Sequence, residues 1–149
     1  MTAPRRSSLL WFFGLFLAGS IALGYDYLFI YDPPIRTVEK FEAAMGWGEV
    51  EAVKSLIVIS ANQDLEALHV PTDEEVRLLL TEPFDKGRIL DLRKRTDNKS
   101  TYHYVVYRGA DSQVYALIVT KFGNKLRVIV SDRSTSAPSR FLWEYTWNN

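Results

Sequence analysis

His69 and His103 are the two histidines in 149 residues, and there is no cysteine. Metal and thiolate chemistry therefore lack their usual ligands. There is no HExxH pattern and no histidine beside acids at ligand spacing. No metal and no cofactor is expected. Proton transfer would need an acid or a histidine facing a tyrosine donor. Asp91, Tyr102, His103, Tyr104 and Tyr115 supply those types and form the candidate pocket set, with Asp132 as a further acid. Asp91 lies between Leu90 and Leu92, which turns it away from an apolar strand face. His103 shares a face with Thr101, Val105 and Tyr107 and reads as a half-buried structural histidine. No spacing fixes a catalytic constellation, so a non-enzymatic role is expected.

Two other stretches suggest binding. In Arg140–Trp147 the alternate residues Phe141, Trp143, Tyr145 and Trp147 are all aromatic. On a strand these four line one face, opposite Leu142, Glu144 and Thr146. Packing inward on the helices is the leading reading of the row. The closeness of its end to the C-terminus and the polar tips of Trp and Tyr point to a contact of the outer part, Tyr145 and Trp147, with a second chain or the membrane surface. Arg93-Lys94-Arg95 is a short basic run. A strand splits its charge between two faces, which suits a solvated strand end or an anionic-lipid or phosphate contact.

The elements that must position these residues follow from periodicity. Ile35, Val38, Phe41 and Met45 recur at helical spacing, and Gly46-Trp47-Gly48 ends that helix. Val50, Val53, Leu56 and Ile57 form a second apolar stripe. Ser60–His69 reads as a connection. Thr72-Asp73-Glu74-Glu75 is a capping box opening a short helix that buries Val76, Leu79 and Leu80. From Gly87 the period becomes two, with strands expected over 88–94, 101–108, 113–122, 126–132 and 140–147. Gly123-Asn124 suits a tight hairpin. Helices followed by a run of antiparallel strands is an α+β pattern. Phe41, Met45, Val53, Leu56, Val76 and Leu80 are the expected helix-borne core.

The first 31 residues have a different character. Residues 1–6 carry Arg5 and Arg6, and 7–31 is an apolar run broken only by Asp26. Its length suits a transmembrane helix of roughly 20 residues. Trp11 at one end and Tyr25, Tyr27 and Tyr31 at the other suit the two interfaces. Small residues before Ile21 and Tyr25 would also suit signal-peptide cleavage. The apolar run continues past both sites, so retention as a signal anchor is expected. Arg5 and Arg6 keep the N-terminus cytoplasmic, which leaves 32–149 extracytoplasmic. Gly14, Ala18 and Ala22 form a small-residue stripe that permits close helix packing. Formal net charge is +0, and every acid except Asp26 lies after the span. The exported part is slightly acidic, which argues against a nucleic-acid partner.

The order of elements, with TVEKFEAAMGWGEVEAVKSLI, then PTDEEVRLLL, then GRILDLRKR and long strands, resembles the nuclear transport factor 2-like superfamily, also called cystatin-like or ketosteroid-isomerase-like. The resemblance covers residues 34 to 147. It implies a cone of about three helices packed on a bent antiparallel sheet. LRVIVSD stands where many exported members carry a glycine-tryptophan turn. Membrane-anchored bacterial members with a short cytoplasmic tail occur in secretion machines. The expected function is a single-pass, inner-membrane protein whose extracytoplasmic domain binds or assembles as an accessory subunit. Its partners would be the bilayer and a membrane protein or further copies of itself. The alternative is a cone pocket that binds or converts a small apolar molecule.

Overall fold

A computed structural model of the chain describes residues 14–20, 32–83, 87–97, 99–109, 111–132 and 140–146. The chain divides into two units, Met1–Asp32 and Pro33–Asn149. The first contributes Asp32 and helix α1 (14–20), whose side chains are exposed. Gly14 and Ala18 of the small-residue stripe lie in it, and Ala22 lies outside the described residues. Among the described residues no helix is long and apolar enough to cross a membrane. Most of the expected 7–31 span falls outside them.

The second unit is α+β. Helix α2 (Pro33–Trp47) buries Ile35, Val38, Phe41, Ala44 and Met45. It starts on two prolines, whose missing N–H groups cost nothing in a first turn. It ends where Gly48 takes φ +69. The Gly48 N–H donates to the Met45 carbonyl and the Glu49 N–H to the Ala44 carbonyl. That pairing is a Schellman cap, and its left-handed residue favours glycine. Helix α3 (Val50–Leu56) follows and buries Val53. Helix α4 (Asp73–Leu79) opens on the expected capping box of Thr72 and Glu75.

Seven strands complete the unit: β1 (Ile57–Ser60), β2 (Leu68–His69), β3 (Arg88–Asp97), β4 (Ser100–Arg108), β5 (Val114–Phe122), β6 (Lys125–Ser131) and β7 (Trp143–Glu144). They form one sheet in the order β2-β1-β6-β5-β4-β3, with β7 on β5. The sheet is mixed, because β1 runs parallel to β6 with Ile57 opposite Val128. This corrects the expectation of a wholly antiparallel sheet. Ile57, Val58, Ile59 and Ser60 are all buried, and a strand covered on both faces shows no alternation. Its continuous apolar run therefore merged with the helical stripe before it. A 3-10 turn (Ala61–Gln63) leads from β1 towards β2, within the stretch read as a plain connection. Gly123 at φ +65 makes the two-residue hairpin turn between Phe122 and Lys125.

The principal core lies between the helices and one sheet face. Phe41, Met45, Val53 and Val76 meet Val105, Leu117, Val119, Val128 and Val130 there, with Leu56 and Leu80 partly buried beside them. Four of the six residues expected in the core belong to it, and Leu56 and Leu80 pack against it partly buried. A smaller cluster of Val58, Tyr102, Ile118 and Ile129 lies apart from it. These residues alternate with the core-facing ones along β1, β4, β5 and β6, so they sit on the outer face.

Candidate interaction surface

The period of two decides the fate of the pocket candidates. On β4, Val105 and Tyr107 face the helices, so His103 lies on that side and Tyr102 and Tyr104 lie on the outer face. Tyr115 faces the helix side opposite Tyr107. Asp91 pairs with Val106 in register and Leu92 with Val105, which puts Asp91 outside. The five are thus split between two faces and do not converge. Each tyrosine hydroxyl that is accounted for has a structural partner. Tyr102 donates to the Leu65 carbonyl at 3.2 Å. Tyr107 donates to Glu42 at 3.1 Å, and burial followed by that carboxylate raises its phenol strongly. Tyr115 donates to Asp111 at 2.6 Å, which pushes its phenol up to about 12. Asp91 accepts from Arg93 Nε at 2.6 Å. Phe141 packs into the helix-side interior: it is 1% exposed and meets the Phe41 ring edge-on, centroids 5.7 Å apart. Among the described residues no three His, Cys, Asp or Glu side chains gather to hold a metal.

The C-terminal aromatic row also needs correction. The strand there spans two residues, Trp143–Glu144, and Arg140 and Phe141 lie in a turn. Alternation therefore does not carry from Phe141 to Trp143. Phe141 enters the helix-side core, whereas Trp143 packs against the outer cluster. The Trp143 indole Nε1 donates to the Ile129 carbonyl at 3.1 Å. The Tyr145 ring tilts against Tyr104 with centroids 6.0 Å apart. Trp147 lies outside the described residues. The turn itself is pinned by Glu82, which accepts from the Arg140 backbone N–H at 2.7 Å and from its Nε at 2.5 Å.

What results is an outer face with an aromatic centre and a charged margin. Tyr104, Trp143 and Tyr145 are half-buried. Burial, ahead of neighbouring charges, raises the Tyr104 phenol. Along β3 the same face carries Asp91, Arg93, Arg95 and Asp97, joined as two ion pairs within the strand. The basic run is therefore split as expected: Arg93 and Arg95 stand across from Tyr104 and Tyr102, and Lys94 across from His103. No pattern in the sequence had marked Tyr104 as the neighbour of Tyr145. That pairing depends on β7 docking beside β5, where Tyr115 pairs with Glu144. Comparison with protein families, with curated proteins and with solved structures finds no match.

Proposed function

We propose that this chain is a single-pass, extracytoplasmically exposed membrane protein whose domain serves in binding or assembly, as an accessory subunit of a membrane complex. The observation that carries the reading is the outer sheet face. It bears half-buried Tyr104, Trp143 and Tyr145 beside a ladder of ion pairs. An aromatic centre with a polar rim is the usual anatomy of a protein contact. The occupant proposed is another protein chain. The free edge strand β3 is a poorer contact, because a register shift between Ile89 and Asp91 and the charges of Arg93, Lys94 and Arg95 blunt strand addition.

Membership of the nuclear transport factor 2-like superfamily remains part of the proposal. A helix pair, a capped third helix and the strand order β2-β1-β6-β5-β4-β3 support it. The pocket alternative has less support, since the candidate residues lie on two faces and Phe141 packs into the helix-side interior. The test replaces Tyr104 and Tyr145 with Ser in the full-length protein in its native membrane. Photo-crosslinking from position 95, on exposed Arg95 of the outer face, reports the neighbour. Expected is loss of the crosslinked band with less than a few degrees of change in melting temperature. An unchanged band would remove the outer face from the reading, and a collapsed melting temperature would make the two rings structural.

A further inference from the structure

A groove of about 490 Å³ opens between the loop joining β1 to β2, the tip of the β3–β4 hairpin and the end of β5. Leu65, Leu68 and Phe122 give it apolar surface, and all three pack on the outer-face cluster. Glu66 lines it from the loop, and Lys99 and Ser100 line it from the hairpin. Asp97 is engaged with Arg95, and the Thr120 hydroxyl donates to the Thr101 carbonyl at 2.9 Å. Lys121 borders the groove, but alternation along β5 sends its side chain to the face of core residue Val119. Among the described residues neither Glu66 nor Lys99 belongs to an ion pair. The loop that presents Leu65 and Glu66 is closely held. Asp132 accepts the Asn62 N–H with both carboxylate oxygens at 3.1 Å, and the Ser60 hydroxyl donates to the Asp64 carbonyl at 2.8 Å. The Glu66 N–H donates to Asp64 Oδ1 at 2.9 Å, and the Tyr102 hydroxyl to the Leu65 carbonyl at 3.2 Å. These bonds keep Asn62 (φ 55) and Gln63 (φ 61) in left-handed backbone. Such backbone costs energy in residues other than glycine and concentrates where ligands are clamped.

We propose that this groove binds a small zwitterion of the amino-acid class, with its ammonium at Glu66, its carboxylate at Lys99 and an apolar side chain on Leu65, Leu68 and Phe122. Glu66 and Lys99 line one groove without pairing to each other. A ligand that carries both charges meets both at once. A ligand with one charge finds one partner and is repelled by the other, so the pair selects for a zwitterion. The Ser100 hydroxyl adds a donor on the Lys99 side. Apolar walls with a few placed polar groups are the usual make-up of a small-molecule site, and the volume lies in the usual range. It accommodates either a single amino acid or a dipeptide, which share this chemistry. The site lies beyond the assembly role and does not rest on it.

Calorimetric titration of the full-length protein with L-leucine and with L-leucyl-L-leucine tests the two sources in parallel. Saturable heat from at least one is expected. The N-acetylated form of that probe lacks the ammonium, and its C-terminal amide lacks the carboxylate. Each should bind more weakly than the parent by roughly tenfold or more. In Glu66→Gln the acetylated form should bind as well as the parent, and in Lys99→Gln the amide should. Lys99→Arg should keep the wild-type order. Glu66 and Lys99 are both exposed, so the variants should melt like wild type. Binding of leucine alone identifies a free amino acid, and binding of the dipeptide alone identifies a short peptide. No saturable heat with either probe, or the same discrimination in wild type and both glutamine variants, overturns the proposal.

Discussion

Phe141 and Tyr145 are alike in sequence, four positions apart in one aromatic row, and unlike in what holds them. Phe141 is 1% exposed in the helix-side core against Phe41. Removing such a ring leaves a cavity that close packing cannot refill. Phe141→Ala should destabilise by about 3–5 kcal/mol in urea unfolding. Tyr145→Ala should cost under about 1 kcal/mol, as surface changes do. Near-equal losses would mean that the row packs as a unit after all. The row was readable as aromatic, and the fate of each ring was not. Burial of Phe141 depends on a turn at Arg140 and Phe141, and that turn is fixed by Glu82, 58 positions earlier. No local pattern encodes so distant a partner. For the same reason the pocket candidates could be chosen by type, while the faces of β4 and β5 kept them apart.

At the scale of elements, legibility followed the strength of the local signal. The capping box of Thr72 and Glu75, the glycine stop at Gly48 and the Gly123 hairpin each combine a residue type with a backbone need, and each formed. β1 gave no such signal, because parallel pairing buries both of its faces. The capping box also predicts a pH response. Burial opposes ionisation of Glu75, but hydrogen bonds from Thr72 and His69 outweigh it and hold the carboxyl below its usual range. Lys54 does the same to Asp73 at the start of α4, by its hydrogen bond first and its charge second. Carboxyls depressed in the folded state stabilise it above their unfolded pKa, and that contribution is lost as pH falls towards the folded value. Melting temperature should therefore hold steady near neutrality and decline below about pH 4.5, where unfolded carboxylates begin to take up protons. Glu75→Gln should melt lower than wild type near neutrality and show a shallower acid decline. Parallel curves for the two proteins would exclude Glu75 from the acid response.

At the scale of the whole molecule, the domain from Pro33 onwards closes its own core. Residues from α2, α3 and α4 meet β4, β5 and β6, and among the described residues the buried hydrophobic set begins at Ile35. The proposed anchor rests on composition: Arg5 and Arg6, an apolar run without charge from Ser7 to Tyr25, and Tyr27 to Tyr31 beyond Asp26. A cleaved leader ends its apolar stretch at the cut, whereas here apolar residues extend beyond both small-residue sites. An anchor of this kind holds the chain in the bilayer through about 20 apolar residues, far more strongly than surface contacts do. The protein should consequently remain in the membrane fraction after alkaline washing, and intact mass should include residues 7–31. A mature N-terminus at Ile21 or Tyr25 would falsify the anchor. Among the described residues the core starts at Ile35, so that outcome should leave the melting temperature of the domain unchanged. It would turn the outer aromatic face into the contact surface of a secreted module. Mass and melting temperature measured on one preparation thus separate the address of the protein from the integrity of its fold.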